Sequence, residues 1–229
     1  MRKSLGREQI VDAAFQLLDE AGIEGVSLRK VACQLGIRAP SLYWHFKSKQ
    51  ALIDAMADAL IAQVARDVPA GQPWRATLLQ IAHEFRSGLK AHRDGARVYA
   101  GTYIASENVL RVGEAMIKAL AEAGAPIGFA ATAAMDLGYY VMGFVIEEQA
   151  LPDYRHVEDV GKAYLALSQA RFPYCWQARH VMTEPDFDRR FDQGLGLLLG
   201  GIEHWLAQAD AQPDQHGALP AKARTAATP

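Results

Sequence analysis

The amino-acid sequence predicts an all-α protein, with three short N-terminal helices followed by a larger helical bundle. Three observations carry that prediction. Apolar residues recur at three- and four-residue spacing through most of the 229 residues, glycines and prolines punctuate those stretches at helix-length intervals, and no segment alternates apolar and polar residues as a half-buried strand does.

Residues 8–21 put Ile10, Val11, Ala14, Leu17 and Leu18 on one stripe, and Gly22 is placed to stop that helix. Ser27 is the expected N-cap of residues 28–35, which Gly36 closes. A third short helix begins around Pro40, whose missing N–H has no helical partner in a first turn anyway. Ser48 caps a fourth, residues 49–67, with Leu52, Ile53, Met56, Leu60 and Val64 inward; Val68, Pro69, Ala70 and Gly71 then break the chain. Further helices are expected over residues 74–91, a short piece at 96–100, residues 106–123, and residues 127–150, ended by Pro152. Residues 157–170 form another, Pro173 and Pro185 bracket a less regular stretch, and residues 187–209 form the last long helix. From Ala211 onward the Ala/Pro/Gln-rich tail has no apolar stripe and reads as disordered. The chain thus divides into a head of residues 1–50, a body of residues 51–210 joined to it by helix 49–67, and a tail of residues 211–229.

Half the chain is hydrophobic and 22% is charged, which suits a packed core. The longest apolar stretches, such as residues 129–134, are too short to span a bilayer, and residues 1–7 lack the apolar region of a signal peptide. Cys33 and Cys175 have no metal-ligand spacing, which points to a reduced cytoplasmic setting without structural metal. The net charge of -2 is uneven: residues 1–50 hold eight Lys/Arg against five Asp/Glu, and the rest hold sixteen against twenty-one. A basic head on an acidic body suits an anionic partner at that end.

In residues 27–46, Leu28, Val31, Ala32 and Leu35 make one apolar face, Gly36 permits a sharp turn, and Ile37 plugs the angle between two helices. Leu42 and Phe46, four residues apart, hold the second helix to the first. Pro40, Ser41, Tyr43, Trp44 and His45 are left facing outward, flanked by Arg29, Lys30, Arg38, Lys47 and Lys49, where phosphates lie if that helix enters a major groove. The same spacing occurs in helical proteins that touch no DNA, and Tyr43 and Trp44 also suit a core.

The run Pro40-Ser41-Leu42-Tyr43-Trp44-His45-Phe46-Lys47-Ser48-Lys49, with Ser27, Arg29, Lys30 and Ala32 before it, resembles the DNA-binding domain of the tetracycline repressor (TetR) family. Residues 92–102, the spacing on to Gly143 and Glu147, and the run from Phe191 to Leu195 resemble the ligand domain of the tetracycline repressors themselves. The likeness covers residues 7–151 and 187–206. It implies a homodimeric, DNA-binding transcriptional regulator on a double-stranded palindromic operator. Arg29 then meets a guanine edge, Pro40 and Trp44 meet thymine methyls or sugar, Tyr43, His45 and Lys49 meet phosphate or bases, and Ser27 holds a phosphate. Ser41 belongs to the same surface, and Ala39 stands where known repressors carry a base-reading glutamine, which implies a different operator.

The glycine- and alanine-rich segments 127–150 and 194–206 sit where this family builds its four-helix dimer interface; by pattern alone they suit a monomer core equally. The resemblance also places an inducer chamber along Phe85, Tyr99, Thr102, Tyr103 and Met116, continuing through Met135, Tyr139, Tyr140 and Glu147. Tyr99 replaces a magnesium-binding histidine, Ala65 a drug-contacting histidine, Ile81 an asparagine and Met116 a glutamine. The expected effector is accordingly small and largely apolar or aromatic, bound without magnesium or another cofactor, anchored by Thr102, a tyrosine hydroxyl or Glu147. Helix 157–170, through Val160, Tyr164 and Leu167, is expected to close the partner's chamber. An enzyme is disfavoured, since His83, Glu84, His180, Glu203 and His204 have no metal-ligand spacing and no nucleophile motif or phosphate loop occurs. A ligand-independent interaction protein of the same fold is the remaining alternative.

Overall fold

A computed structural model describes residues 6–151, 157–183 and 186–211, and every regular element among them is a helix. The tail expected from Ala211 lies outside the described residues except for Ala211 itself, which is still helical.

The head holds α1 (Arg7–Gly25), α2 (Leu28–Gln34) and α3 (Ala39–Tyr43) around Ile10, Ala14, Leu18, Val31, Leu42 and Phe46, all buried. Gly22 leaves helical geometry as expected, with φ 68, but the chain winds on to Gly25. α4 (Lys49–Leu60) starts at its Ser48 cap, whose hydroxyl accepts from the Ala51 amide. It is shorter than the sequence suggests. Beyond Leu60 the bonds tighten to the i→i−3 type, and Ala65 takes a left-handed φ of 54, so the helix expected to reach residue 67 stops about two turns early.

The body comprises α5 (Trp74–Lys90), α6 (Gly95–Tyr99), α7 (Glu107–Glu122), α8 (Ile127–Ala150) and α12 (Phe187–Ala211), with α9 (Val157–Arg171), α10 (Pro173–Gln177) and α11 (Arg179–Thr183) between the last two. The stretch between Pro173 and Pro185 thus resolves into two short helices. α9 to α11 pack on one another, Tyr164 donating to the Cys175 carbonyl at 3.2 Å.

Arg86 pins α5 to α8 and α12: its guanidinium donates to Glu148 at 2.7 and 3.0 Å, meets Asp188 at 2.7 Å, and lies 4.7 Å over the Phe191 ring. Lys90 joins Glu148 from the other side. α12 seats on α8 where Tyr140 donates to the Phe191 carbonyl at 2.7 Å. Gly194 is required there, since a Cβ at that position falls 2.4 Å from the Tyr140 hydroxyl.

Head and body meet at a polar seam. Asp94 accepts the Ile23 amide at 2.9 Å, Asp19 meets His92 at 2.8 Å and the Arg93 amide at 3.0 Å, and Glu24 pairs with Arg97 at 2.6 Å. Phe15 stacks on the His92 ring at 4.1 Å. A side chain at Gly22 is excluded here twice over, by its φ and by Asp94 Oδ2 only 2.8 Å from its Cβ position.

Candidate nucleic-acid interface and ligand chamber

The α2–α3 unit forms for the reasons the sequence gives. The Ser27 hydroxyl accepts from the Lys30 amide at 3.3 Å, and Gly36 takes φ 64. The Ile37 amide reaches back to the Ala32 carbonyl at 3.0 Å, and Phe46 continues past the end of α3 by bonding to the Leu42 carbonyl at 2.9 Å. With Leu42 and Phe46 fully buried, the opposite side of α3 faces solvent. Tyr43 is 49% exposed and Trp44 83%, so neither is core; Pro40 and Ser41 are exposed, and Ala39 and His45 half-buried.

Around this row Arg29, Lys30, Arg38, Lys47 and Lys49 are exposed. The Lys47 ammonium sits 5.6 Å over the Trp44 ring. Among the described residues Arg29, Lys30 and Arg38 make no ion pair. One contributor is invisible in the sequence: Arg7 lies 4.2 Å over the Phe46 ring and donates to the His45 carbonyl at 2.5 Å, strapping the end of α3 to α1. Only the spatial approach of residues 38 apart reveals it.

A cavity of about 500 Å³ lies among α5, the end of α6 with the segment after it, α7 and α8. Phe85, Tyr99, Thr102, Tyr103, Met116, Met135 and Tyr139 line it, as the sequence suggests. Tyr99 meets Phe85 edge-on, ring centroids 5.2 Å apart. Burial, and then the charge of Asp58, push the Tyr99 phenol above its ordinary pKa, so it remains a protonated donor at neutral pH. The Thr102 hydroxyl donates to the Tyr99 carbonyl at 2.7 Å and keeps its acceptor capacity for a ligand. Tyr103, Met135 and Tyr139 stand at the open rim, each more than half exposed. None of the described lining residues carries a charged side chain.

Four residues of the expected chamber lie elsewhere. Ala65 is buried where α4 ends, its amide donating to Glu84 at 2.7 Å; Ile81 is core at 1% exposure; Glu147 is exposed on α8. Position counting from a motif does not say which face a helix turns: Ile81 and Glu147 turn away, and Ala65 sits in the turn after α4 has ended. Tyr140 likewise turns to α12. Sequence reasoning missed Val109, Val112, Gly113, Ile117 and Met142, because it sought polar-tipped side chains and these are plain wall. The signal was available: Val109, Val112 and Met116 keep the three-and-four spacing of one helical face.

Among the described residues no group of three or more His, Cys, Asp or Glu is placed to hold a metal ion. The outer side of α8 and α12 is open and apolar, with Ile127 64% and Leu197 80% exposed and free space beside Gly196, Gly200 and Gly201. α8 holds an 18-residue stretch of mean hydropathy 1.4, long and apolar enough to cross a membrane by length and composition, although each uninterrupted apolar run within it is short. The same helix packs its Ala130, Leu137, Val141 and Val145 face into the core. Val160 and Leu167 on α9 are exposed and Tyr164 half-buried.

Residues 10–56 match the family described as bacterial regulatory proteins, tetR family, and residues 68–206 match the tetracyclin repressor-like C-terminal domain. The chain is 37% identical to the tetracycline repressor protein class C of Escherichia coli over 205 residues, covering 87% of this chain and 91% of that protein. Among solved structures, a possible TetR family transcriptional regulator from Streptomyces coelicolor A3(2) superposes with a TM-score of 0.80 at 32% identity, covering 87% of this chain and 99% of that one. The Streptomyces coelicolor TetR family protein ActR, in complex with (S)-DNPA, superposes with a TM-score of 0.78 at 25% identity, covering 90% and 100%.

Proposed function

This chain belongs to the TetR family of bacterial transcriptional regulators, and on that footing we propose that it is a homodimeric repressor released from a palindromic operator by a small, largely apolar or aromatic effector. It is a ligand-responsive, DNA-binding regulator, a class of proteins that are generally not enzymes. The observation that carries the finer reading is the chamber: about 500 Å³, walled by methionines, tyrosines and aliphatic groups without a charged side chain among the described residues. A charged ligand entering such a wall loses its hydration and finds no counter-charge, whereas a flat neutral ring system loses little and gains contact area. Polar orientation then falls to the Tyr99 and Tyr139 hydroxyls and Thr102. The solved complex of ActR with (S)-DNPA supports an organic effector in this fold.

In this reading residues 1–50 bind DNA and residues 51–210 bind effector and dimerise. Arg29 reads a guanine, Tyr43, Trp44 and His45 lie along the major groove with Pro40 and Ser41, and Ser27, Lys30 and Lys49 hold phosphates. Ala39 makes no base hydrogen bond, so the operator differs from those of glutamine-bearing repressors. The open faces of α8 and α12 pair with a second copy, burying their exposed apolar residues, and α9 lies over the partner's chamber. With Tyr99 and Ala65 where tetracycline repressors carry histidines, magnesium–tetracycline is not the signal. The protein acts in the cytoplasm. Effector favours a spacing of the two heads that no longer fits successive major grooves, with α4 as the lever.

The test begins with selection of bound fragments from genomic DNA by the purified protein. A panel of neutral polycyclic aromatics, with magnesium–tetracycline beside it, is then screened for melting temperature and operator affinity. At least one neutral aromatic should raise the melting temperature and weaken operator binding tenfold or more. Release by magnesium–tetracycline alone, or ligands that bind without moving operator affinity, overturns the reading.

A further inference from the structure

We infer that Arg111 is the positioning residue that ties the chamber wall to the lever helix α4. α7 turns one side to the cavity through Val109, Val112, Gly113 and Met116. The same helix grips the end of α4. Arg111 Nε donates to the Val64 carbonyl at 3.1 Å, and Nη2 donates to the Ala62 and Ile61 carbonyls at 3.0 and 3.3 Å. Nη1 donates to Asn108 Oδ1 at 2.7 Å, which fixes the guanidinium plane from its own helix. The Ser106 hydroxyl meets Asp58 Oδ1 at 2.5 Å one turn earlier.

Those carbonyls lie in the turn just past the end of α4, where Ile61 also accepts from the Val64 amide at 3.0 Å and Ala62 from Arg66 Nε at 2.7 Å. A planar cation with several fixed N–H groups satisfies three of them together, and it favours the negative end of the helix. The other end of α4 begins at Ser48, directly after the α3 segment. Any displacement of α7 by an occupant of the cavity therefore moves the carboxyl end of α4 through one rigid fork, while the head moves with the amino end.

The inference rests on the chamber being the effector site, and its test separates the two. Gly113 on α7 and Gly138 on α8 both line the cavity, and a Cβ at either meets nothing within 4 Å. Gly113→Phe and Gly138→Phe each fill the cavity with a tethered ring in place of a ligand. Each is made in the full chain with Arg111 and with Arg111→Ala, and affinity for the best selected DNA fragment is measured beside melting temperature. Filling should weaken operator binding at least tenfold with Arg111 present and less than threefold in Arg111→Ala, with Arg111→Lys between. Arg111→Ala without filling should keep operator affinity within threefold; a merely structural role lowers it and leaves the effect of filling unchanged. Equal weakening in both backgrounds leaves the chamber reading intact and overturns the role of Arg111. No weakening by either ring in any background overturns both. Should Arg111→Ala melt too low to assay, the same comparison with Arg111→Lys decides, since a single ammonium cannot span three carbonyls.

Discussion

The head and the body handle positive charge in opposite ways. On the head, Arg29, Lys30 and Arg38 stand in solvent without an ion pair among the described residues, grouped around an exposed Tyr43 and Trp44. In the body, the Arg86 side chain is 8% exposed and fully engaged by Glu148, Asp188 and two aromatic rings. A cation in water keeps its hydration and is free to meet phosphate, whereas one taken into a core must carry its counter-charge with it. The same residue type thus stands free in solvent in one region and holds helices together in the other, and exposure and pairing decide which.

The largest effect expected from disturbing that contrast lies in the body. Glu148→Ala leaves Arg86 buried with only the exposed Asp188, and stability should fall by about 3–5 kcal/mol in urea unfolding followed by circular dichroism. The pH dependence sharpens the point. Burial pushes the Glu148 carboxyl up, but hydrogen bonds from Arg86 and Lys90 outweigh it and hold it below the usual carboxylate range. Its folded pKa is thus depressed, so its contribution is complete above the ordinary carboxylate pKa and is lost as pH falls through the lower folded value. Glu148→Ala should flatten the acid limb of the stability profile; an unchanged limb would place the titrating group elsewhere.

A smaller effect is expected on the head. Arg29→Ala should erase preference at one base pair per half-site, a loss of about 1–3 kcal/mol in discrimination, while overall fold is kept. Uniform weakening across all sequences in a repeated fragment selection would move Arg29 to the phosphates. Smallest is Lys30→Ala, which should lower the slope of log affinity against log salt by about 0.9 for each phosphate no longer neutralised and leave sequence preference alone.

The head was legible almost entirely from the sequence because its signals are local. Ser27, Gly36, Leu42 and Phe46 act within a few residues of where they stand, and each is found in the expected role. The body was legible where periodicity sufficed, as for its long helices, while the seven cavity-lining residues of the expected set came from the family resemblance. It failed where a distant group decides. α4 ends at Leu60 although the apolar stripe runs on to Val64, because Arg111 and Glu84, far along the chain, bond the unwound turn. The glycine-rich run of α12 shows both cases: Gly194 answers to Tyr140 within the chain, whereas Gly196, Gly200 and Gly201 face open space.

The seam between Asp19, Ile23 and Glu24 on α1 and His92, Asp94 and Arg97 beside α6 also bears on engineering. A head grafted from a relative onto this body reproduces this seam when it brings a carboxylate at positions 19 and 24 and a glycine at position 22. Cutting at residue 50 alone therefore does not make a free module. The units that can be exchanged are the head together with residues 92–97, and designers of hybrid switches should draw the boundary there.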